Sequence, residues 1–145
     1  MYFYQSLDSQ NLDTSIFEQI LELYRSVNWL NYTNQPNMLK NALKHSLCNI
    51  VVSESSRIVG IIRVVGDGHS IIYVQDLIVH PDFQRQGIGK ALLNAIDLQY
   101  PEVYQKVLLT DASATNALFY ESCGYANSSS LNCTSYLKIT RPTKD

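Results

Sequence analysis

The segment Gln84-Arg85-Gln86-Gly87-Ile88-Gly89-Lys90 sets two glycines one residue apart inside a polar, cationic stretch. The apolar run Leu77, Ile78, Val79 precedes it, and the amphipathic pattern Ala91 to Ile96 follows, so it stands where a strand gives way to a helix. A helix N-terminus exposes unpaired backbone N–H groups and the positive end of the helix dipole. A phosphate placed there meets donors that need no side chain. Gly87 and Gly89 would let the backbone close on a pyrophosphate, Ile88 and Leu92 would anchor the helix, and Lys90 adds a nearby charge. The same glycines could instead serve only the backbone angles of a turn. Two nucleotide motifs are absent: a G-x-x-x-x-G-K-[ST] loop, and a G-x-G-x-x-G with an acidic residue after a second strand.

Other reactive side chains offer less. His45, His69 and His80 show no ligand spacing with one another or with the cysteines, so no metal is expected. Cys48, Cys123 and Cys133 are odd in number and far apart, which reads as free thiols in a reducing cytoplasm. Cys123 lies beside Gly124 with nothing adjacent to activate it, and reads as helix packing.

The elements that must hold these residues follow from periodicity. Tyr2 to Tyr4 suits a short strand. Ser15 and Glu18 have capping-box spacing, ahead of a helical stripe of Ile16, Ile20, Leu23 and Val27. A polar break around Trp29 and Tyr32 follows, then a helix from Pro36 with Leu39, Ala42 and Leu43 on one face. The period then becomes that of strands: 48–53, 58–65 and 70–79 read as three antiparallel strands joined by tight turns. A helix spans about 87–99, a strand 106–111, and a helix ends at Gly124. A last strand is expected at "SYLKIT", residues 135–140. The order β-α-α-β-β-β-α-β-α-β predicts an α/β fold with a largely antiparallel sheet and one strand–helix–strand crossover around the glycine segment.

A chain of 145 residues suits one domain, 1–145, and 46% hydrophobic with 17% charged residues is ordinary globular composition. A net charge of −2 with scattered basic residues gives no field for nucleic acid. No apolar stretch reaches the ~18 residues of a membrane span, and the first residues lack the pattern of a secretion signal. A cytoplasmic protein with neither nucleic-acid nor membrane partners is expected.

The block "DLIVHPDFQRQGIGKALL" resembles the acetyl-CoA-binding motif of the GNAT superfamily of N-acetyltransferases, in which a strand and a proline-bearing loop lead to Q/R-x-x-G-x-G/A. Gln84, Gly87 and Gly89 fill those positions, with Pro81 in the loop. Downstream, "NALFYESCGY" is similar to the family's N-x-x-x-x-F-Y-x-x-x-G-F/Y segment in a shorter form, through Asn116, Phe119, Tyr120, Gly124 and Tyr125. The likeness covers nearly the whole chain and is greatest to a small bacterial type; some plant arylalkylamine acetyltransferases look broadly similar. It implies the GNAT acyl-CoA N-acyltransferase fold: a mixed, mostly antiparallel sheet with splayed central strands flanked by helices.

The activity so implied is transfer of acetyl from acetyl-CoA to a primary amine of a small molecule or peptide, by direct attack. Transfer of a longer acyl group, or a CoA-binding sensor or partner-binding module without turnover, are the alternatives. The chemistry needs a neutral amine, although an alkyl amine has a pKa of about 10.4, together with a donor for the oxyanion and a proton for the departing thiolate. On the family pattern the Val79 N–H faces the acetyl carbonyl, and Leu77, Ile78 and Val79 pair with the pantetheine chain as an added strand. Residues Gln84, Arg85, Gln86, Gly87, Ile88, Gly89 and Lys90 would hold the pyrophosphate, with Asn116 and Phe119 beside the cofactor. Tyr120 matches the family's proton-donating tyrosine.

Many relatives carry a glutamate on the long strand. Strict alternation from Val79 puts Leu77, Gln75 and Tyr73 on that face, none a carboxylate, and Asp76 on the other. A β-bulge, common in the family here, would reset the parity and make Asp76 a candidate base; a buried, backbone-bonded Asp76 is the other reading. Asp111 and water relays are further options. Trp29 and Tyr32 are expected either to wall the acceptor pocket or simply to pack their loop, with Tyr73 and Gln75 facing the amine. A homodimer through the late strands is also a family habit.

Overall fold

The structure, a computed structural model, describes residues 1–140. It contains two compact units, Met1–Leu108 and a second beginning at Leu109. The first unit is built on a five-stranded sheet in the order β1 (Tyr2–Ser6), β2 (Cys48–Glu54), β3 (Arg57–Gly66), β4 (Ile71–Val79) and β5 (Gln105–Leu108). The first four strands are antiparallel in sequence. β5 joins β4 in parallel after the crossover helix α4 (Ile88–Gln99), so the expected mixed sheet and its crossover are both present.

Three helices precede β2: α1 (Thr14–Ser26), the single turn α2 (Leu30–Thr33), and α3 (Pro36–His45). The capping-box expectation is corrected. Asp13, not Ser15, caps α1, its carboxylate accepting from the Ile16 N–H at 2.8 Å. α2 lies inside the stretch expected as a break; Tyr32 and Trp29 pull it against Tyr24. Pro36 starts α3 in the first helical turn, where its missing N–H costs nothing.

The sheet is covered on both sides. Phe17, Ile20, Leu21, Leu23 and Tyr24 of α1, with Leu39 and Leu43 of α3, bury Val51, Ile58, Ile61 and Ile78. Gly60, next to Ile61 and so on the opposite face, lies under Ile88, the first residue of α4. Ile88, Leu92, Leu93 and Ile96 of α4 are buried, each apolar side chain worth roughly 1.5–3 kcal/mol.

In the second unit, α5 (Ala114–Ser122) is capped by Ser113, whose hydroxyl accepts from the Asn116 N–H at 3.1 Å. It stops at Gly124 with φ 91°, as expected of a left-handed glycine beyond a helix end. The last expected strand is not formed: residues 135–140 have no ladder, and Tyr136, Leu137 and Ile139 are exposed. Strand composition is no substitute for an edge to pair with.

Candidate active site

The register of β4 against β3 shifts by one residue between the Arg63–Asp76 and Val64–Val74 pairs, leaving Gln75 as the extra residue of a β-bulge. The bulge changes which way everything beyond it faces. Val74 pairs with Val64, Asp76 with Arg63, Leu77 with Ile62 and Ile78 with Ile61. Asp76 and Ile78 therefore face α1, while Leu77 and Val79 face α4. Strict alternation had joined Val79, Leu77, Gln75 and Tyr73 on one face; Tyr73, paired with Val65, lies on the other side from Val79.

The bulge also sets the amides. His80 donates its N–H to the Val59 carbonyl at 2.8 Å, which phases the ladder. Ile78 and Asp76 thus bond toward β3, and Leu77 and Val79 turn their backbone groups the other way. On that other side β5 pairs only with Ile71–Val74, so the rest of β4 has an open edge. The Val79 carbonyl there accepts from Gln84 Nε2 at 3.0 Å. No acceptor for the N–H of Leu77 or Val79 exists among the described residues of the sheet.

Gln84 thereby ties the end of β4 to the glycine segment. After a short 3₁₀ turn at Pro81–Phe83, Arg85 adopts φ 63° and Gly87 φ 82°, two left-handed residues one apart. Such a chain forms a concave nest of N–H groups suited to an anion. Gly87 is the N-cap of α4 with no side-chain cap, and nothing lies within 4 Å of where its Cβ would be. The first helical bond comes only at Ala91, to the Gly87 carbonyl at 3.0 Å. The N–H groups of residues 85–90 find no acceptor among the described residues. Arg85, Gln86 and Lys90 are exposed, whereas Ile88 is buried and fixes the helix. The Gln86 side chain accepts from the Tyr2 hydroxyl, and Tyr2 meets Phe83 edge-on at 6.5 Å between centroids. An open anion nest and an unpaired strand edge are thus joined by one glutamine.

Asp76 is 2% exposed. Its Oδ2 accepts from Arg63 Nε at 2.6 Å and from the Tyr24 hydroxyl at 2.8 Å. Arg63 reaches on to Tyr32 OH at 3.1 Å and Ser46 Oγ at 3.3 Å. Gln75 Nε2 donates to the same Tyr32 oxygen at 3.3 Å. Burial works against the guanidinium charge, but the Asp76 carboxylate more than offsets it, and the Arg63 pKa lies above its ordinary value. Burial, and then the Asp76 charge, push the Tyr24 hydroxyl well above its usual range. Asp76 is therefore a held carboxylate facing the helices. Tyr32 is buried, with Trp29 half-buried beside it at 6.4 Å between rings, so both pack the helical layer. Gln75 is exposed and Tyr73 half-buried.

In the second unit Asn116 Nδ2 donates to Thr110 Oγ1 at 3.0 Å and the Asp111 carbonyl at 3.4 Å, closing the loop ahead of α5. Tyr120 stacks edge-on with Phe119 and Tyr125 at 5.0 and 6.0 Å. Partial burial raises its hydroxyl pKa, a hydrogen bond with Thr110 pulling the other way. Among the described residues no group of three or more His, Cys, Asp or Glu is placed to hold a metal ion, and no helix is long and apolar enough to cross a membrane.

Arg63 and Tyr24 were missed by sequence reasoning. The available signal was one arginine inside the otherwise apolar run "IVGIIRVV", since a charge in a doubly covered strand needs a buried partner.

Comparison with known proteins bears on the same segments. Residues 45–127 match the acetyltransferase (GNAT) domain family. A GNAT-family acetyltransferase from Streptococcus pneumoniae TIGR4 is 37% identical, covers 98% of this chain and 100% of its own, and superposes with a TM-score of 0.84. An uncharacterized N-acetyltransferase of Porphyra purpurea is 28% identical over 125 residues, which span 81% of this chain and 67% of that protein. An aminoglycoside acetyltransferase from an uncultured soil metagenomic sample, solved with sisomicin, shares the fold at a TM-score of 0.70 with 21% identity; the alignment covers 99% of this chain and 97% of that one.

Proposed function

Because the chain belongs to the GNAT acetyltransferase family, we propose that it transfers acetyl from acetyl-CoA to a primary amine of a small molecule or peptide by direct attack. The observation that carries this reading is the union of two unfilled features in the first unit. The open edge of β4 at Leu77 and Val79 continues, through Gln84, into the bare amides of 85–90.

The residues present fit that donor. The nest around Gly87 presents main-chain N–H groups to a diphosphate, with Lys90 and Arg85 adding positive charge at the surface. The β4 edge accepts an extended amide-bearing chain in the manner of an added strand. Acetyl-CoA supplies the thioester, an activated acyl group. The Val79 N–H, held by the sheet and needing no reorganisation, stabilises the negative charge that develops on the acyl oxygen. On the family pattern Tyr120 would give a proton to the departing sulfur and take back the one that the acylated nitrogen sheds. Asp76, buried and bonded to Arg63 and Tyr24, holds structure in this scheme and is not the base. A reducing cytoplasm is the proposed site of action, on the odd number and wide spacing of Cys48, Cys123 and Cys133 in the sequence.

Thiol release over a panel of amines, with calorimetry of CoA and acetyl-CoA, tests this. Acetyl-CoA binding and amine-dependent thiol release are expected. Tight CoA binding with no release on any amine points to a sensor, and no binding at all overturns the reading.

A further inference from the structure

The bulge at Gln75 is a choice between two registers, and the choice has consequences for the amides. Without the one-residue shift, Ile61 would pair with Leu77 and Gly60 with Ile78 in place of the observed partners. The ladder to β3 would then consume the amides of Leu77 and Val79, and those of Asp76 and Ile78 would face the open edge. Asp76 would also move to the face of Ile62 and Val74, both fully buried or nearly so, and away from Arg63.

One interaction separates the registers. Arg63 and Asp76 form the first pair beyond the bulge, and each is almost wholly buried, at 5% and 2% exposure. A buried ion pair is a poor source of net stability, because desolvation opposes the Coulomb gain, but it penalises every register that separates its members. This pair has reach as well. Arg63 extends to Tyr32 of α2 and Ser46 at the end of α3, while Tyr24 of α1 donates to the Asp76 carboxylate. Three helices are thereby fastened to the point where β4 changes phase.

We propose that Arg63 is a positioning residue: its salt bridge to Asp76 fixes the bulge at Gln75 and so selects Val79, rather than Ile78, as the amide turned to the open edge of β4. The use of that amide by an acyl group rests on the reading above; the register itself does not.

Backbone amide exchange in the free protein reads the register directly. In the native chain Val79, without an acceptor in the sheet, should exchange much faster than Ile78, which is bonded to β3. In the double variant Arg63→Met with Asp76→Leu, which replaces the pair by apolar side chains of similar size, that contrast should fall by at least ~10-fold or invert. A folded double variant with the native contrast overturns the proposal. Should the double variant not fold, the singles decide. Arg63→Lys keeps a charge beside Asp76 and should retain the contrast, whereas Arg63→Gln gives it up and should erode it. Equal contrasts in those two also overturn the proposal. Titration with acetyl-CoA is a separate arm. Amide shifts at Gly87 and Gly89 that fail to appear refute the cofactor reading and leave the exchange result standing.

Discussion

Gly87→Val isolates the anion nest from the rest of the site. Nothing lies within 4 Å of the missing Cβ, so the added side chain meets no clash. The penalty comes instead from φ 82°, a backbone region that costs an L-residue about 1–2 kcal/mol and a β-branched one more. The loop can accept that strain and lose stability, or relax and turn its N–H groups away. If relaxation misaims one charge-assisted bond to phosphate, worth about 1.5–3 kcal/mol, affinity for acetyl-CoA falls about 10- to 150-fold. Calorimetry should be run with acetyl-CoA and with acetyl-pantetheine, which lacks the diphosphate. The variant should weaken the first and leave the second within about 2-fold. Gly87→Asn, whose side chain tolerates the left-handed region, should fall between native and valine. Equal losses for both ligands, or a worse asparagine variant than valine, would refute the argument that backbone geometry at 87 aims the phosphate donors.

Tyr120→Phe should lower turnover about 100-fold or more while leaving CoA affinity unchanged, as measured by thiol release beside calorimetry. Gly60→Ala should destabilise the fold by about 1–3 kcal/mol in urea titration, since its Cβ would sit 2.7 Å from Val52 Cγ1 and 3.1 Å from the Ile78 carbonyl oxygen. Asp67 holds the β3–β4 turn by accepting from the Ser70 hydroxyl and from the N–H groups of His69, Ser70 and Ile71, which depress its pKa well below the carboxylate range. A depressed native pKa gives stability that is present above the unfolded pKa and lost as pH falls toward the native one. The urea midpoint of Asp67→Asn should therefore change less than that of the native chain between about pH 5 and pH 2.

The glycine segment was readable because its signal is local: a strand, two glycines and a helical stripe dictate one another over twenty residues. The bulge was not. Ile72, Val74, Asp76 and Ile78 are all buried, in unbroken alternation, although the first two and the last two face opposite sides. With both faces of the sheet covered, burial carries no record of the side, and the extra residue disappears from the pattern. Asp13 displaced Ser15 as the cap because either can serve and tertiary contacts decide where the helix begins. The sequence left Trp29 and Tyr32 between walling a pocket and packing their loop; the three-dimensional meeting of Tyr24, Arg63 and Asp76 explains why Tyr32 packs inward.

β1 is an edge strand whose first residue, Tyr2, grips Gln86 of the glycine segment. Anything fused ahead of Met1 emerges within one residue of that grip. A polyhistidine tag left in place would hang its imidazoles beside a cradle suited to anions and could distort every affinity measured there, whichever coenzyme is used. Assays on this molecule call for cleaved protein, and the difference between tagged and cleaved preparations is itself a gauge of how closely the start of β1 borders the cradle.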